Sequence, residues 1–231
     1  MSQQGHLRRL DLQTGDDVDI RPAEAEGEKL RFHWNSAIAQ DPFDANTIYF
    51  GSQYVHRSSD RGDSWTKISP DLSSNDSTKQ KYGQSGGLTY DVTGAETHTC
   101  ILAITPGKVE EGLLWVGTDD GQVQLSRDGG ESWKNLTAEI KELPEGAWIP
   151  QIIASEHSAG EAWVVVNNYR LNDYAPYLLN TRDYGRKWTR VVGEGDVAGY
   201  VLSFAQDPEV EALQFLGTEY GLYLSIDGGE H

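Results

Sequence analysis

Short runs of apolar and other strand-forming residues, separated by polar turns that contain Gly and Asp, recur along most of the chain. Residues 47–51, 113–117 and 122–125 are typical, because they are four or five residues long and rich in β-branched, aromatic and other apolar side chains. Apolar residues at helical spacing are nearly absent. The pattern predicts an all-β protein made of short antiparallel strands.

One eight-residue phrase recurs in the turns between these runs, three times complete and a fourth time without its last residue. A repeat at intervals of tens of residues predicts a repeat architecture, and units of this length suit propeller blades of four strands. The copies are residues 58–65 (SSDRGDSW), 126–133 (SRDGGESW), 181–188 (TRDYGRKW) and 225–231 (SIDGGEH).

Each copy of the phrase has the composition of a structural turn. An Asp carboxylate can accept backbone N–H groups within a turn, Gly adopts backbone angles closed to other residues, and the Trp can bury a large ring between strands. A carboxylate that recurs in every blade is a poor candidate for a catalytic acid. We therefore predict a structural role for the repeated aspartates, Asp60, Asp128, Asp183 and Asp227.

The phrase Ser/Thr-x-Asp-x-Gly-x-x-Trp resembles the Asp box, or BNR repeat, of sialidases, xyloglucanase-type glycosidases and sortilin-type receptors. The stretch from about residue 31 to residue 231 also resembles bacterial BNR-repeat, glycosyl-hydrolase-like proteins. The resemblance implies a β-propeller of four-stranded antiparallel blades with Asp-box turns. It does not by itself imply a glycosidase, because fold and function separate.

The repeats divide the chain into a leading hairpin and a row of blades. Residues 1–30 form a hairpin and linker that are part of a blade, and residues 31–231 form the propeller, with blades at 31–70, 97–137, 148–193 and 200–231. This predicts an incomplete ring of four to five blades. The hairpin could complete the terminal blade, two copies could associate through open blade edges, or the chain could be a fragment of a longer protein.

The amino-acid composition limits the kinds of molecule that the protein could bind. The chain has 36 acidic and 19 basic residues, a net charge of −17, which argues against nucleic acid or an anionic membrane as partner. The single cysteine, Cys100, excludes an intramolecular disulfide. The N-terminus lacks the basic and apolar regions of a signal peptide, although the family resemblance implies an exported bacterial protein.

The propeller geometry predicts where a site would lie. The turns between the second and third strands should surround the same end of the central channel as the segments that lead into the inner strands. We call this end the axial mouth; the Asp-box turns should lie at the opposite end. His33 and His98 fall at matching positions before two inner strands, and strand alternation would place Glu96, His98 and Cys100 on one face. With a carboxylate or thiolate nearby, the two histidines could hold a divalent metal, or could be ordinary partly buried polar groups.

Carboxylates and aromatic residues also fall at the predicted mouth. Asp119, Asp120, Glu219 and Glu96 could supply the pair of carboxylates that a glycosidase needs, although Asp-Asp-Gly and Glu-Tyr-Gly are also good hairpin turns. Stacking on sugar rings would come from Trp148, Tyr169 and Tyr174, with Arg170 beside them.

Two functions remain open from the sequence. The first is a hydrolase, glycosidase-like or metal-assisted, that acts at the axial mouth on a glycan or a small ester-like substrate. The second is a non-catalytic interaction or glycan-binding propeller.

Overall fold

The computed structural model of the protein describes residues 5–80 and 97–230, and its regular structure is almost entirely antiparallel β-sheet. A two-stranded hairpin comes first, with β1 (Arg8–Leu10) and β2 (Asp17–Asp19). Blade one contains β3 (Ile38–Gln40), β4 (Ile48–Gly51), β5 (Val55–Ser58) and β6 (Thr66–Lys67). Blade two contains β7 (Ile101–Pro106), β8 (Leu114–Thr118), β9 (Val123–Ser126) and β10 (Lys134–Asn135).

The two later sheets follow the same strand order. Blade three contains β11 (Trp148–Ala154), β12 (Ala162–Asn168), β13 (Asp173–Thr181) and β14 (Thr189–Val192). Blade four contains β15 (Val201–Gln206), β16 (Gln214–Thr218) and β17 (Leu222–Ser225). Short 3-10 turns lie at Ser77–Lys79, Thr137–Glu139 and Tyr169–Leu171. Within the described ranges, no helix is long and apolar enough to cross a membrane.

Neighbouring sheets pack face to face, and their first strands contact one another, so that these strands lie innermost. Each interface has its own buried core. Tyr49 and Val55 of blade one pack with Ile101 and Val116 of blade two. Full burial of side chains of this size contributes about 1.5–3 kcal/mol each. The all-β propeller with four-stranded antiparallel blades, predicted from the sequence, is confirmed.

The core between blades two and three is the largest. Trp115 and Leu125 of blade two meet Ile149 and Val164 of blade three, and all four side chains are buried. Between blades three and four, the rings of Trp163 and Phe204 stack at a centroid distance of 4.9 Å. Because every blade is held by its neighbours, the inner-strand ends of the blades have fixed relative positions.

The leading hairpin has the geometry of the outer half of a blade. The N–H of Ile20 donates to the carbonyl of Leu7 (2.9 Å), as the N–H of Ile68 does to Val55 (2.9 Å). The hairpin buries Leu7 and Ile20 against Phe50 of blade one. It forms a sheet of its own, and its strands match the third and fourth strands of a blade. In this structure the hairpin packs on blade one and does not pair with blade four, whose third strand is β17.

Candidate functional site

The axial mouth is built from the segments that precede the inner strands. In blades two and four these segments are tied to the turn between the second and third strands. The N–H of Asp119 donates to the carbonyl of Cys100 (3.0 Å), and the N–H of Glu219 donates to the carbonyl of Tyr200 (3.2 Å). The two turns therefore lie at the same end of the sheets as the chain leading into their inner strands, as the repeat pattern predicted.

A buried polar cluster of His33, His98 and Asp119 lies at this mouth. The three residues come from blades one and two and are between 0% and 3% exposed. The Nδ1 atom of His98 lies 3.3 Å from Oδ2 of Asp119, in a geometry that does not make a hydrogen bond. Oδ1 of Asp119 accepts the N–H of Cys100 (2.8 Å).

The tautomer of His33 follows from its neighbour. The N–H of Asn35 donates to Nδ1 of His33 (3.1 Å), so the neutral ring carries its proton on Nε2. Burial lowers the pKa of His33; the Asp119 carboxylate acts against this effect and Arg170 adds to it. Neither Nε2 of His33, nor the two ring nitrogens of His98, nor Oδ2 of Asp119 has a hydrogen-bond partner among the described residues. Unpaired buried polar groups are costly, which marks this cluster as a feature that packing alone does not explain.

The backbone beside the cluster is strained. Thr99, which lies between His98 and Cys100, has a φ of 63°, a region that a β-branched side chain rarely occupies. The segment leading to β7 is therefore not extended at this point. The expectation that strand alternation places Glu96, His98 and Cys100 on one face is wrong for the latter two residues, and Glu96 lies outside the described residues.

Cys100 and Asp120 are held in structural roles. The Cys100 thiol donates to the carbonyl of Thr97 (3.1 Å), and burial raises its pKa well above the usual value, so it is not a ready thiolate ligand. Asp120 is 4% exposed and accepts the N–H of Ser74 (2.7 Å) and the hydroxyl of Thr118. Asp119, fully buried, is equally inaccessible. Of the proposed catalytic carboxylates within the described ranges, Glu219 is the exposed one.

The described residues at the mouth do not provide a complete set of ligands for a metal ion. In the part of the chain that the structure describes, no three His, Cys, Asp or Glu side chains are grouped so that they could hold a metal ion. His33 and His98 come near each other and near Asp119, but the thiol of Cys100 is turned to a backbone carbonyl.

A row of stacked planar side chains runs outward from the histidines. The His33 ring meets the Trp148 ring edge-on at 4.9 Å. The guanidinium of Arg170 lies 3.3 Å from the centroid of Trp148 and 4.4 Å from that of Tyr169. Tyr169 in turn lies 4.8 Å from Tyr200, a distance between ring centroids.

The outer end of this row is open to solvent. Tyr174, 55% exposed, lies 6.3 Å from the ring of Tyr200. We call Trp148, Arg170, Tyr169, Tyr200 and Tyr174 the aromatic stack. Four of its members were named from the sequence, and Tyr200 was missed. The aromatic residue directly before the apolar start of β15 was the available signal.

Arg31, the other arginine near the mouth, has structural partners. Its guanidinium pairs with Asp71 (2.6 Å) and donates to the carbonyl of Thr99 (3.3 Å). Arg31 thereby connects Asp71, in the segment that follows blade one, to Thr99, the strained residue next to His98.

The repeated turns lie between the third and fourth strands, at the opposite end of the blades. In the first, Asp60 accepts the hydroxyl and the N–H of Ser64 (2.6 and 2.8 Å), and Gly62 donates to the hydroxyl of Ser58 (2.7 Å). These bonds lower the pKa of Asp60 to about 2. Asp128 and Asp183 likewise accept the N–H of the residue four positions on, and Asp227 accepts the N–H of Glu230, three positions on. Their separation from the aromatic stack agrees with a structural role.

Comparisons with known proteins support the fold. No protein-family model matches the chain. A stretch of 93 residues, 40% of the chain, is 31% identical to an oligoxyloglucan-reducing end-specific xyloglucanase of Emericella nidulans, of which it covers 10%. Among solved structures, an ancestral GH74 enzyme superposes with a TM-score of 0.61 at 17% identity, over 89% of this chain and 24% of that one. The GH74 xyloglucanase from Xanthomonas campestris gives 0.59 at 19% identity, over 95% and 32%.

The protein is thus a β-propeller whose blades are like those of glycoside-hydrolase propellers. The chain spans about a tenth of the length of the curated relative it matches, and a quarter to a third of these two solved structures. At these identities, the structural likeness establishes the fold.

Proposed function

We propose that the protein binds glycans at the axial mouth, with the sugar rings lying against the aromatic stack. The observation that carries the proposal is the continuous row from Trp148 to Tyr174, which joins two blades and ends at an exposed ring. Sugar rings present apolar C–H faces that pack on aromatic rings, and hydroxyl groups that need polar partners at the edge. Arg170 supplies such a partner next to the rings.

Similarity to a xyloglucanase makes xyloglucan the first glycan to test. Ligand sites in proteins combine apolar and aromatic walls with a few convergent polar groups, and the mouth has this composition. The negative charge of the protein also favours a neutral glycan over an anionic one.

The test is calorimetric titration of the chain with oligosaccharides derived from xyloglucan, and with cello-oligosaccharides of the same backbone length. We expect Tyr174→Ala to weaken binding about tenfold without loss of stability, because the ring is exposed and lies at the end of the stack. The matched control is Phe43→Ala, which removes a ring that is 48% exposed between β3 and β4, at the far end of blade one. The absence of saturable binding for every oligosaccharide, or equal effects of the two substitutions, would refute the proposal.

Hydrolysis of the bound glycan is the second candidate, favoured by the xyloglucanase similarity and by the exposed Glu219 beside Tyr200. Glycoside hydrolysis ordinarily needs two carboxyl groups about 5–9.5 Å apart. Asp119 and Asp120 are engaged in the fold, so among the carboxylates named from the sequence the candidate depends on Glu219 and on Glu96, which lies outside the described residues. The test measures the release of reducing ends from xyloglucan by the chain and by Glu219→Gln. A chain that binds glycan but releases no reducing ends would eliminate this candidate alone.

A further inference from the structure

Two tyrosine rings at the outer end of the aromatic stack are inclined to each other and partly open to solvent. The rings of Tyr174 in blade three and Tyr200 in blade four have centroids 6.3 Å apart and an angle of 55° between their planes. Tyr169 packs more closely on Tyr200, at 4.8 Å and 33°, so these two rings largely cover each other. We call Tyr174 and Tyr200 the tyrosine wedge. Because Tyr174 is 55% exposed, ring surface at the wedge is accessible from solvent.

The backbone around both rings is held by hydrogen bonds. Tyr174 follows Asp173, whose carboxylate accepts the N–H of Ala175 (3.1 Å). The carbonyl of Tyr200 accepts the N–H of Glu219 (3.2 Å). Blade three has a packed neighbour on each side, so the exposure of Tyr174 is not that of an end blade. The wedge is therefore formed before any ligand arrives, which lowers the entropic cost of binding.

A carboxylate lies beside the wedge. Burial raises the pKa of the Tyr200 phenol, the negative charge of Glu219 adds to this rise, and Arg170 acts against it. The Glu219 carboxylate is therefore close enough to the Tyr200 hydroxyl to act on it electrostatically. Among the described residues, no cationic side chain forms an ion pair with Glu219.

The inner part of the same stack already holds a cation of the protein itself. The guanidinium of Arg170 lies 3.3 Å from the centroid of Trp148 and 4.4 Å from that of Tyr169. The face of an aromatic ring carries partial negative charge, which attracts such a group. In the part of the chain that the structure describes, no Lys or Arg lies over Tyr174 or Tyr200. The wedge offers the same kind of ring surface to a cation from solution.

We propose that the tyrosine wedge and Glu219 bind an alkylated ammonium group of the choline type. The positive charge of a quaternary ammonium is spread over its methyl groups, which can contact both rings, and the carboxylate supplies the opposite charge. A quaternary ammonium is also less strongly hydrated than a primary one, so it gives up less on entering a partly exposed site. The net charge of −17 attracts cations to the protein and repels anions.

This site shares Tyr174 and Tyr200 with the proposed glycan site, but the inference does not depend on glycan binding. A neutral sugar carries no charge for Glu219 to attract, whereas the ammonium group does. Loss of choline binding would leave the glycan proposal standing, and a failure of oligosaccharides to bind would leave this inference standing.

The test is an NMR titration of the isotope-labelled full chain with choline and with its neutral isostere, in which carbon replaces the quaternary nitrogen. We expect saturable shifts with choline in the millimolar range, and binding of the isostere that is at least about fivefold weaker. Equal affinities would show an apolar contact only and would overturn the proposal. The absence of saturable shifts with choline would also overturn it.

Co-sedimentation with vesicles of phosphatidylcholine identifies the source of the ammonium group. A chain that binds both choline and the vesicles recognises a lipid headgroup, whereas a chain that binds choline alone recognises a free small molecule. Either result, together with the preference for choline over the isostere, supports the ammonium site.

Protein variants locate the site. Tyr174→Leu keeps apolar bulk but removes the ring face, so it should weaken choline binding at least about threefold, whereas Tyr174→Phe should retain it. Glu219→Gln should also weaken choline binding about threefold. Its matched control is Glu131→Gln, which removes the same charge from an exposed carboxylate in the second repeated turn. Unchanged choline affinity in Tyr174→Leu, or equal effects of the two Gln variants, would place the cation elsewhere on the acidic surface and overturn the proposal.

Discussion

Three glycines at the same blade position provide a graded test of how the blades pack. Gly51, Gly117 and Gly217 lie near the ends of β4, β8 and β16, and none has a positive φ. A Cβ atom on Gly117 would lie 2.4 Å from Ile149 Cγ2 and 3.1 Å from its backbone oxygen. On Gly51 it would lie 2.8 Å from Ile101 Cγ2.

Gly217 differs from the other two glycines, whose Cβ positions meet an Ile of the next blade. Among the described residues, no further blade packs against Gly217. A Cβ atom there would contact the hydroxyl of Ser203 at 2.4 Å, and the backbone of Ser203 no closer than 3.8 Å. A hydroxyl can rotate away, whereas Ile149 is buried and its backbone belongs to β11.

The expected free energies of unfolding follow from two opposing effects. Overpacking costs about 1–3 kcal/mol. Replacing Gly by Ala where the backbone permits it stabilises by about 0.4–1 kcal/mol through the unfolded chain. Gly117→Ala should therefore destabilise by about 2 kcal/mol, Gly51→Ala by about 1 kcal/mol, and Gly217→Ala by about zero or less.

Urea denaturation, followed by both far-UV circular dichroism and Trp fluorescence, measures the three values. Coincident transitions are needed before a single free energy is assigned, because repeat proteins can unfold in parts. Gly221→Ala is the control, since nothing lies within 4 Å of its Cβ position. Equal destabilisation at all three sites, or the largest effect at Gly217, would refute the blade-packing argument.

Three further predictions concern single side chains. Asp128→Ala should lower the urea midpoint more than Asp128→Asn, because the amide oxygen still accepts the N–H of Ser132, and a normal midpoint for the alanine variant would contradict a structural role for the repeated Asp. Burial lowers the pKa of His56 to about 4, so the unfolded chain binds more protons between pH 6.5 and 4 and stability falls as pH falls through that window, by about 3 kcal/mol for this group. His56→Gln should flatten the urea midpoint against pH there, and an unchanged slope would contradict this. Cys100, fully buried with a raised pKa, should react with a thiol reagent only as fast as the protein opens, so fast labelling of the native protein would place the thiol at the surface.

The blades and their turns could be predicted from the sequence because both are determined locally. Asp60 and its counterparts make bonds within four residues along the chain, so the phrase itself carries the information. Many strands are short apolar runs because each blade is packed on both faces by its neighbours, as in β8 and β12, which are buried throughout. This explains why residues 47–51, 113–117 and 122–125, which were predicted as strands, lie within one residue of β4, β8 and β9.

The mouth was harder to predict, because its geometry depends on contacts between blades. His33 and Trp148 are over one hundred positions apart in the sequence, yet their rings touch. The first inner strand, β3, begins only at Ile38, because the chain turns before it, where the N–H of Asn35 donates to Nδ1 of His33. Burial of Asp119 rather than exposure is likewise a tertiary effect, because a hairpin turn with this sequence is usually solvated.

Blade four indicates which features of the mouth the fold itself requires. Its counterpart of the strained Thr99 is Gly199, which takes the same positive φ (77°) without strain, and its counterpart of Asp119 is the exposed Glu219. The hydrogen bond between the turn and the segment before the inner strand therefore forms in blade four without a buried carboxylate. Each unpaired buried polar group costs about 1–3 kcal/mol, and blade four avoids that cost.

The buried cluster of His33, His98 and Asp119 is thus a local departure from the repeat rather than a consequence of it. A departure that lowers stability and lies against the aromatic stack is where a functional constraint is expected. The cluster and the stack meet at the contact between His33 and Trp148, so that the buried polar groups lie directly behind the planar rings. A ligand that covers the exposed rings needs an apolar face, and hydroxyl groups that can pair with Arg170, and a glycan chain has both.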